Sequence, residues 1–125
     1  LTIASKGNTT TFGNLTGERR KRMPWSNRTR GVLMGGRNKT GGAGTASTID
    51  YITIASDGNA VDFGKLNTKR FRGDATSNQT RGICASGDTA SPGSNSNVIE
   101  MVTIATTGSA EDFGDVATAS DGPIG

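Results

Sequence analysis

The stretch Asp50-Tyr51-Ile52-Thr53-Ile54-Ala55-Ser56-Asp57-Gly58-Asn59-Ala60-Val61-Asp62-Phe63-Gly64-Lys65-Leu66 decides the fold, because most of it occurs three times in the chain. Upstream, Leu1-Thr2-Ile3-Ala4-Ser5-Lys6-Gly7-Asn8 runs on to Phe12-Gly13-Asn14-Leu15. Downstream, Val102-Thr103-Ile104-Ala105-Thr106-Thr107-Gly108-Ser109 runs on to Phe113-Gly114-Asp115-Val116. The copies are offset by 51 and then 50 residues. A second phrase keeps the register: Asn27-Arg28-Thr29-Arg30-Gly31-Val32 is answered by Asn78-Gln79-Thr80-Arg81-Gly82-Ile83. Self-similarity at such a period marks a repeat architecture in which each unit buries its core against its neighbours. The sequence divides accordingly into a repeat over 1–50 that starts in mid-unit, a repeat over 51–100 and a partial third over 101–125.

Within a unit, Ile49 to Ser56 and Val98 to Thr106 read as strands, rich in β-branched residues, with Ile52 and Ile54 on one face and Thr53 and Ala55 on the other. Asp57-Gly58 tolerates positive φ and predicts a tight hairpin to a shorter strand over Ala60 to Phe63, with Lys6-Gly7 and Thr107-Gly108 in the same place. Phe12, Phe63 and Phe113 close that strand, positioned to cover a thin core, and a glycine after each allows a bend. Arg30 to Gly36 and Arg81 to Gly87 read as short apolar strands ending in glycine, each preceded by a polar segment able to form a fourth strand. The spacers Arg37 to Thr48 and Asp88 to Asn97 read as surface loops. Four short strands in about fifty residues is the arithmetic of a propeller blade. No apolar periodicity supports a helix. The expected class is all-β: tandem antiparallel repeats of ~50 residues, blade-like, completed by oligomerisation or by a longer chain.

Composition bounds the chemistry. Nineteen glycines and an apolar share of 31% leave material only for thin cores. With no histidine and one cysteine, zinc sites and Ser-His or Cys-His nucleophiles are excluded. Cys84 stands where the first unit has Leu33, an apolar packing position. No stretch is long and apolar enough for a membrane helix, and no signal peptide is expected. Asp62 and Asp112, and likewise Asp50 and Glu100, recur at equivalent positions and read as turn or strand-end hydrogen bonders, not as a glycosidase pair. No alternating aspartate run closed by a glutamate suggests a calcium loop. No catalytic, cofactor-binding or metal residue is expected.

Charge is distributed unevenly. Residues 1–50 carry nine Lys or Arg against two acids, and residues 101–125 carry four acids and no base. The basic excess peaks in Glu18-Arg19-Arg20-Lys21-Arg22-Met23-Pro24-Trp25-Ser26-Asn27-Arg28-Thr29-Arg30. Arg19, Arg20, Lys21, Arg22, Arg28 and Arg30, with Trp25 as a stacking ring, are the candidate contact to a polyanion or to an acidic subunit surface. The same charges suit, better than they suit strong nucleic-acid binding, a surface loop or edge strand protected from aggregation or a contact to an acidic neighbour. A basic head and an acidic tail favour head-to-tail association of copies, and equally suit solvated acids at Glu111, Asp112, Asp115 and Asp121.

The order Arg30, Val32 to Met34, Gly35-Gly36, Asp50-Tyr51, Phe63, Leu66, Lys69-Arg70 resembles a kelch-type propeller blade, with Ser86-Gly87 for the double glycine in the second copy, Glu100-Met101 for Asp-Tyr in the third, and Phe for the usual blade tryptophan. Asp50 to Leu66, Thr29 to Gly36 and Thr80 to Gly87 are more closely similar to the repeated DYITIASxGNAxDFGxL and TRGxxxGG segments of virion and tail-fibre proteins of tailed phages infecting marine cyanobacteria and other marine bacteria. That resemblance implies a noncatalytic virion structural protein: a tail fibre, appendage or surface decoration that assembles through repeat edges. Its expected partners are further copies of itself or other virion proteins. The alternative it leaves open is a host receptor or glycan-binding module of the virion; nucleic acid and membrane are not expected partners. The chain enters its motif midway at Leu1, so processing or a longer parent polypeptide is also expected.

Overall fold

The computed structural model describes residues 7–38, 44–90 and 94–120. The strand and link expected over residues 1–6, the middles of both spacers (39–43 and 91–93) and Asp121 lie outside the described residues. Among the described residues there are strands and no helix. In chain order the strands are β1 (Arg19–Arg20), β2 (Met23–Ser26), β3 (Arg30–Met34), β4 (Arg37–Asn38), β5 (Thr48–Thr53), β6 (Val61–Lys65), β7 (Asp74–Ser77), β8 (Arg81–Ala85), β9 (Asp88–Ala90), β10 (Ser94–Asn95), β11 (Val98–Thr103) and β12 (Glu111–Asp115).

Two four-stranded antiparallel sheets carry the fold, in the orders β2-β3-β5-β6 and β7-β8-β11-β12. Their registers correspond. Leu33 faces Asp50 in the first as Cys84 faces Glu100 in the second, and both sheets shift register at the same step, between Ile49 and Asp50 and between Ile99 and Glu100. The repeated Asn-x-Thr-Arg-Gly phrase makes the turn between the first two strands of each sheet. The Asn27 side-chain oxygen accepts the N–H groups of Thr29 and Arg30 at 2.9 and 2.8 Å, and Asn78 does the same for Thr80 and Arg81 at 2.8 Å each. An Asx turn of this kind holds the chain reversal without a glycine.

The third strand of each sheet stops at Thr53 and Thr103, short of the expected Ser56 and Thr106. The N–H of Ile54 is taken by the Thr29 carbonyl, and that of Ile104 by the Thr80 carbonyl, at 2.9 Å each. Asp57-Gly58 is therefore not a tight hairpin turn; it lies in a longer link over residues 54–60, and the following strand begins at Val61. That link makes a junction. Gly58 N–H donates to the Phe12 carbonyl and Ala60 N–H to the Asn14 carbonyl, both at 2.8 Å; Gly108 and Ala110 donate to Phe63 and Lys65 at 2.7 and 2.8 Å. The glycines after Phe12 and Phe63 are thereby explained by close approach and not by a bend: a Cβ at Gly13 would stand 2.0 Å from the Gly58 oxygen, and one at Gly64 2.1 Å from the Gly108 oxygen.

One hydrophobic cluster joins the sheets. Met23, Trp25, Val32, Met34, Ile49, Phe63 and Leu66 pack with Cys84, Val102, Ile104 and Ala110. Phe63 meets Tyr51 edge to face at 5.9 Å and is 3% exposed, so it covers the core as expected. Phe12 and Phe113 remain exposed. The spacers are less free than loops: β4 pairs with β1, β9 pairs with β10, and Ala46, Asp88 and Ser96 are buried.

Candidate functional site

The basic run begins with β1, tied antiparallel to β4, and continues through β2, an edge strand whose Met23 and Trp25 point inward while Pro24 and Ser26 face solvent. Proline suits an edge position, where its missing N–H breaks no ladder. The seven candidate residues do not form one surface.

Arg19 turns inward and pairs with the fully buried Asp50, which also accepts the Thr16 hydroxyl at 2.6 Å. The second sheet repeats the arrangement. Arg70 holds Glu100 at 2.9 Å with neither side chain exposed, and donates further to the Ser86 carbonyl at 3.2 Å and to the Val98 carbonyl. Glu100 accepts the N–H groups of Asn67 and Thr68 at 2.7 and 3.0 Å. A buried carboxylate is tolerated only when paired and hydrogen-bonded in this way. Asp50 and Glu100 thus sit inside the third strands as acceptors for buried guanidinium groups, not at strand ends. Asp62 and Asp112 do bond at strand ends, accepting the N–H of Gly64 and Gly114 at 3.1 and 3.0 Å.

Trp25 is 7% exposed, turned into the core and not presented as a stacking surface. Its ring lies against Gly82, where a Cβ would stand 2.1 Å from Cζ2, and its Nε1 donates to the Met34 sulfur at 3.0 Å. Arg30 is also engaged: its guanidinium lies 4.6 Å from the Tyr51 ring centre and donates to the Ile104 carbonyl, linking the first sheet to the second. Arg22 is half-buried and its Nη donates to the Gly17 carbonyl at 3.5 Å. Burial, and then the charge of Arg19, push its pKa below the usual arginine value. Arg28 is exposed in the β2–β3 turn, at the other end of β2 from Arg20 and Lys21.

Arg20 and Lys21 remain on the surface, in company the sequence did not announce. Lys21, Arg37 and Arg72 surround the buried Phe71 ring at 5.8, 5.4 and 5.8 Å from its centre. Lys21 and Arg72 both hold positive φ, 55° and 63°, and the Arg72 N–H donates to the Lys21 carbonyl at 3.2 Å. Desolvation, then the charges of Arg72, Arg20 and Arg37, lower the Lys21 pKa, while Asp88 opposes them. Asp88 itself accepts from Arg72 at 3.2 Å. The only advance signal for this gathering was register: Lys21 and Arg72 occupy the same place in successive copies.

Cys84 is fully buried and its thiol is pushed up to about 12, mainly by desolvation, with Arg70 pulling down and Glu100 pushing up. It is a packing residue, as its Leu33 counterpart suggested. Among the described residues no three His, Cys, Asp or Glu side chains gather as metal ligands. What the arrangement can do chemically is to cement two sheets and to present one small cationic surface. No protein-family model matches this chain, and no curated protein does.

Proposed function

We propose that this chain is a noncatalytic structural module of a phage virion, built of tandem blade-like units of ~50 residues that assemble through their edges. The observation that carries the noncatalytic reading is the use made of the chemically capable side chains. Arg19, Asp50, Arg70 and Glu100 are occupied in ion pairs that recur at the repeat register, one in each unit, and Trp25 and Arg30 in contacts that hold the first sheet to the second. The virion assignment is supported by the phrase similarity at Asp50 to Leu66, Thr29 to Gly36 and Thr80 to Gly87, residues that make the turns and junctions of this fold. Antibody raised against the chain, applied to purified particles in the electron microscope, is expected to label a fibre, appendage or shell. Failure to label any particle component removes the virion assignment.

A second reading is favoured by the exposed Arg20 and Lys21 beside Arg37 and Arg72: recognition of an anionic host surface glycan. Arrayed acidic polysaccharides would then retain the protein, and Arg20→Glu with Lys21→Glu would abolish retention. Equal retention of the charge-reversed variant removes this reading.

A further inference from the structure

The outer face of the second sheet is an unfilled copy of a face that the first sheet has covered. On the first sheet Arg30, Val32, Tyr51 and Phe63 lie beneath the second sheet. On the second, the residues in register with them, Arg81, Ile83, Met101 and Phe113, line an open hollow. Phe63 is 3% exposed and Phe113 is 57% exposed. The contrast between the glycines is sharper still. Gly13 and Gly64 each lie under a carbonyl of the next link, whereas a Cβ on Gly114 would meet nothing within 4 Å.

The element that fills this seat elsewhere is a Gly-x-x segment: Gly58-Asn59-Ala60 on Phe12 and Asn14, and Gly108-Ser109-Ala110 on Phe63 and Lys65. A third such segment, Gly7-Asn8-Thr9, is exposed, and among the described residues no backbone hydrogen bond reaches Gly7 or Thr9. Among the described residues, one acceptor edge and one donor segment are thus left without the partner that this pairing supplies twice elsewhere in the chain.

Resting on the structural reading above and specifying its partner, we propose that a second copy of this chain docks head to tail. Its Gly7 N–H donates to the Phe113 carbonyl and its Thr9 N–H to the Asp115 carbonyl, so that Gly7 to Thr9 close over Phe113. Main-chain pairing supplies the register and the aromatic ring supplies the buried anchor. Charge points the same way: Glu111, Asp112 and Asp115 are exposed on the acceptor edge, and the donor belongs to residues 1–50, with nine bases against two acids. A contact between different patches on identical copies propagates into a ring or a filament.

The test is sedimentation velocity on the full chain over a concentration series at low and high salt, with Phe113→Asp and Gly114→Ala beside it. The wild type is expected to associate as concentration rises and to loosen in salt. Phe113→Asp alters a side chain that is exposed in the single copy; it is expected to keep the wild-type circular dichroism and weaken association by about tenfold or more. Gly114→Ala is expected to do the same by obstructing the incoming carbonyl. Because Gly114 holds φ 142°, Phe113→Asp remains the deciding variant if that one misfolds. The register is read separately by mixing Thr9→Cys copies with Asp115→Cys copies and adding a short bismaleimide, since the native Cys84 is buried. A cross-linked dimer from the mixture, and not from either variant alone, is expected. A monomeric wild type, association untouched by Phe113→Asp, or no cross-link in the mixture each overturns the proposal. A monomer that still labels particles would sink this contact alone, whereas an assembling protein that labels none would sink the virion assignment alone.

Discussion

Arg70 and Glu100, thirty residues apart in sequence, close an ion pair of 2.9 Å from which solvent is wholly excluded, and Arg19 and Asp50 stand in the same relation one sheet earlier. Each pair ties the segment that leads into a sheet to that sheet's own third strand. Removing one partner strands the other charge in a site of low polarity. Arg70→Met is expected to cost about 3–5 kcal/mol in urea denaturation. Arg70→Met combined with Glu100→Gln should cost less than Arg70→Met alone, because glutamine still accepts the Asn67 and Thr68 N–H groups and no lone charge remains. Equal losses in the two would show that the charge is not what matters.

Trp25 and Gly82 make a second relation that can be measured directly. Gly82→Ala puts a methyl group into the indole, and overpacking of this kind costs about 1–3 kcal/mol. The chain holds one tryptophan, so a red shift of its emission should accompany the loss. Gly31→Ala meets only the Ile52 side chain at 3.1 Å and should cost less, with emission unchanged.

Cys84 links stability to alkaline pH. Its folded thiol is pushed up to about 12 from an ordinary value of 9.0, so the folded state keeps a proton that the unfolded chain gives up. Stability from this group is complete below pH 9 and falls as pH rises toward 12, by at most about 1.4 kcal/mol per pH unit. Thermal melts of the wild type and Cys84→Val across this window should diverge, with the variant less sensitive. At pH 8 an aromatic disulfide reagent should leave the folded thiol untouched and modify it promptly in urea.

The basic run should separate by location. Arg20→Ala, Lys21→Ala and Arg28→Ala alter exposed side chains and should each shift stability by no more than about 0.5 kcal/mol. Arg19→Ala, which leaves the buried Asp50 without its guanidinium, should cost about 3–5 kcal/mol. A uniform response to all four in chemical denaturation would contradict the division drawn here between buried and surface charges.

Much of this fold was legible in advance because its strands alternate and its turns repeat. The three-fold phrase predicted strand content, and the matching phrases at Asn27 and Asn78 marked a common register without announcing the Asx turns that they make. What escaped the reading was long-range. Arg19 looked like a member of a surface cluster because its neighbours are Arg20, Lys21 and Arg22, and local charge density does not reveal an Asp50 thirty-one residues away. The signal was nonetheless present: Arg19 and Arg70 recur in register, and so do the acids Asp50 and Glu100. Trp25 misled for a related reason, since its counterpart is Thr76 and only Gly82, on the other sheet, makes room for its ring. The glycines after Phe12 and Phe63 look like local punctuation, whereas their purpose lies in a backbone some forty-five residues further on.

The Arg30 bond to the Ile104 carbonyl spans seventy-four residues, and the ring of Phe63 waits for Ala110 and its neighbours before it is covered. On a ribosome adding roughly 5–20 residues per second, the first sheet is thus exposed for about 2–10 s after its last strand emerges. During synthesis, Trp25, Val32 and Phe63 together form a sticky nascent surface. Polysomes carrying several such half-made chains hold those surfaces close to one another, so fast translation and a low initiation rate are the conditions under which this protein should be recovered intact.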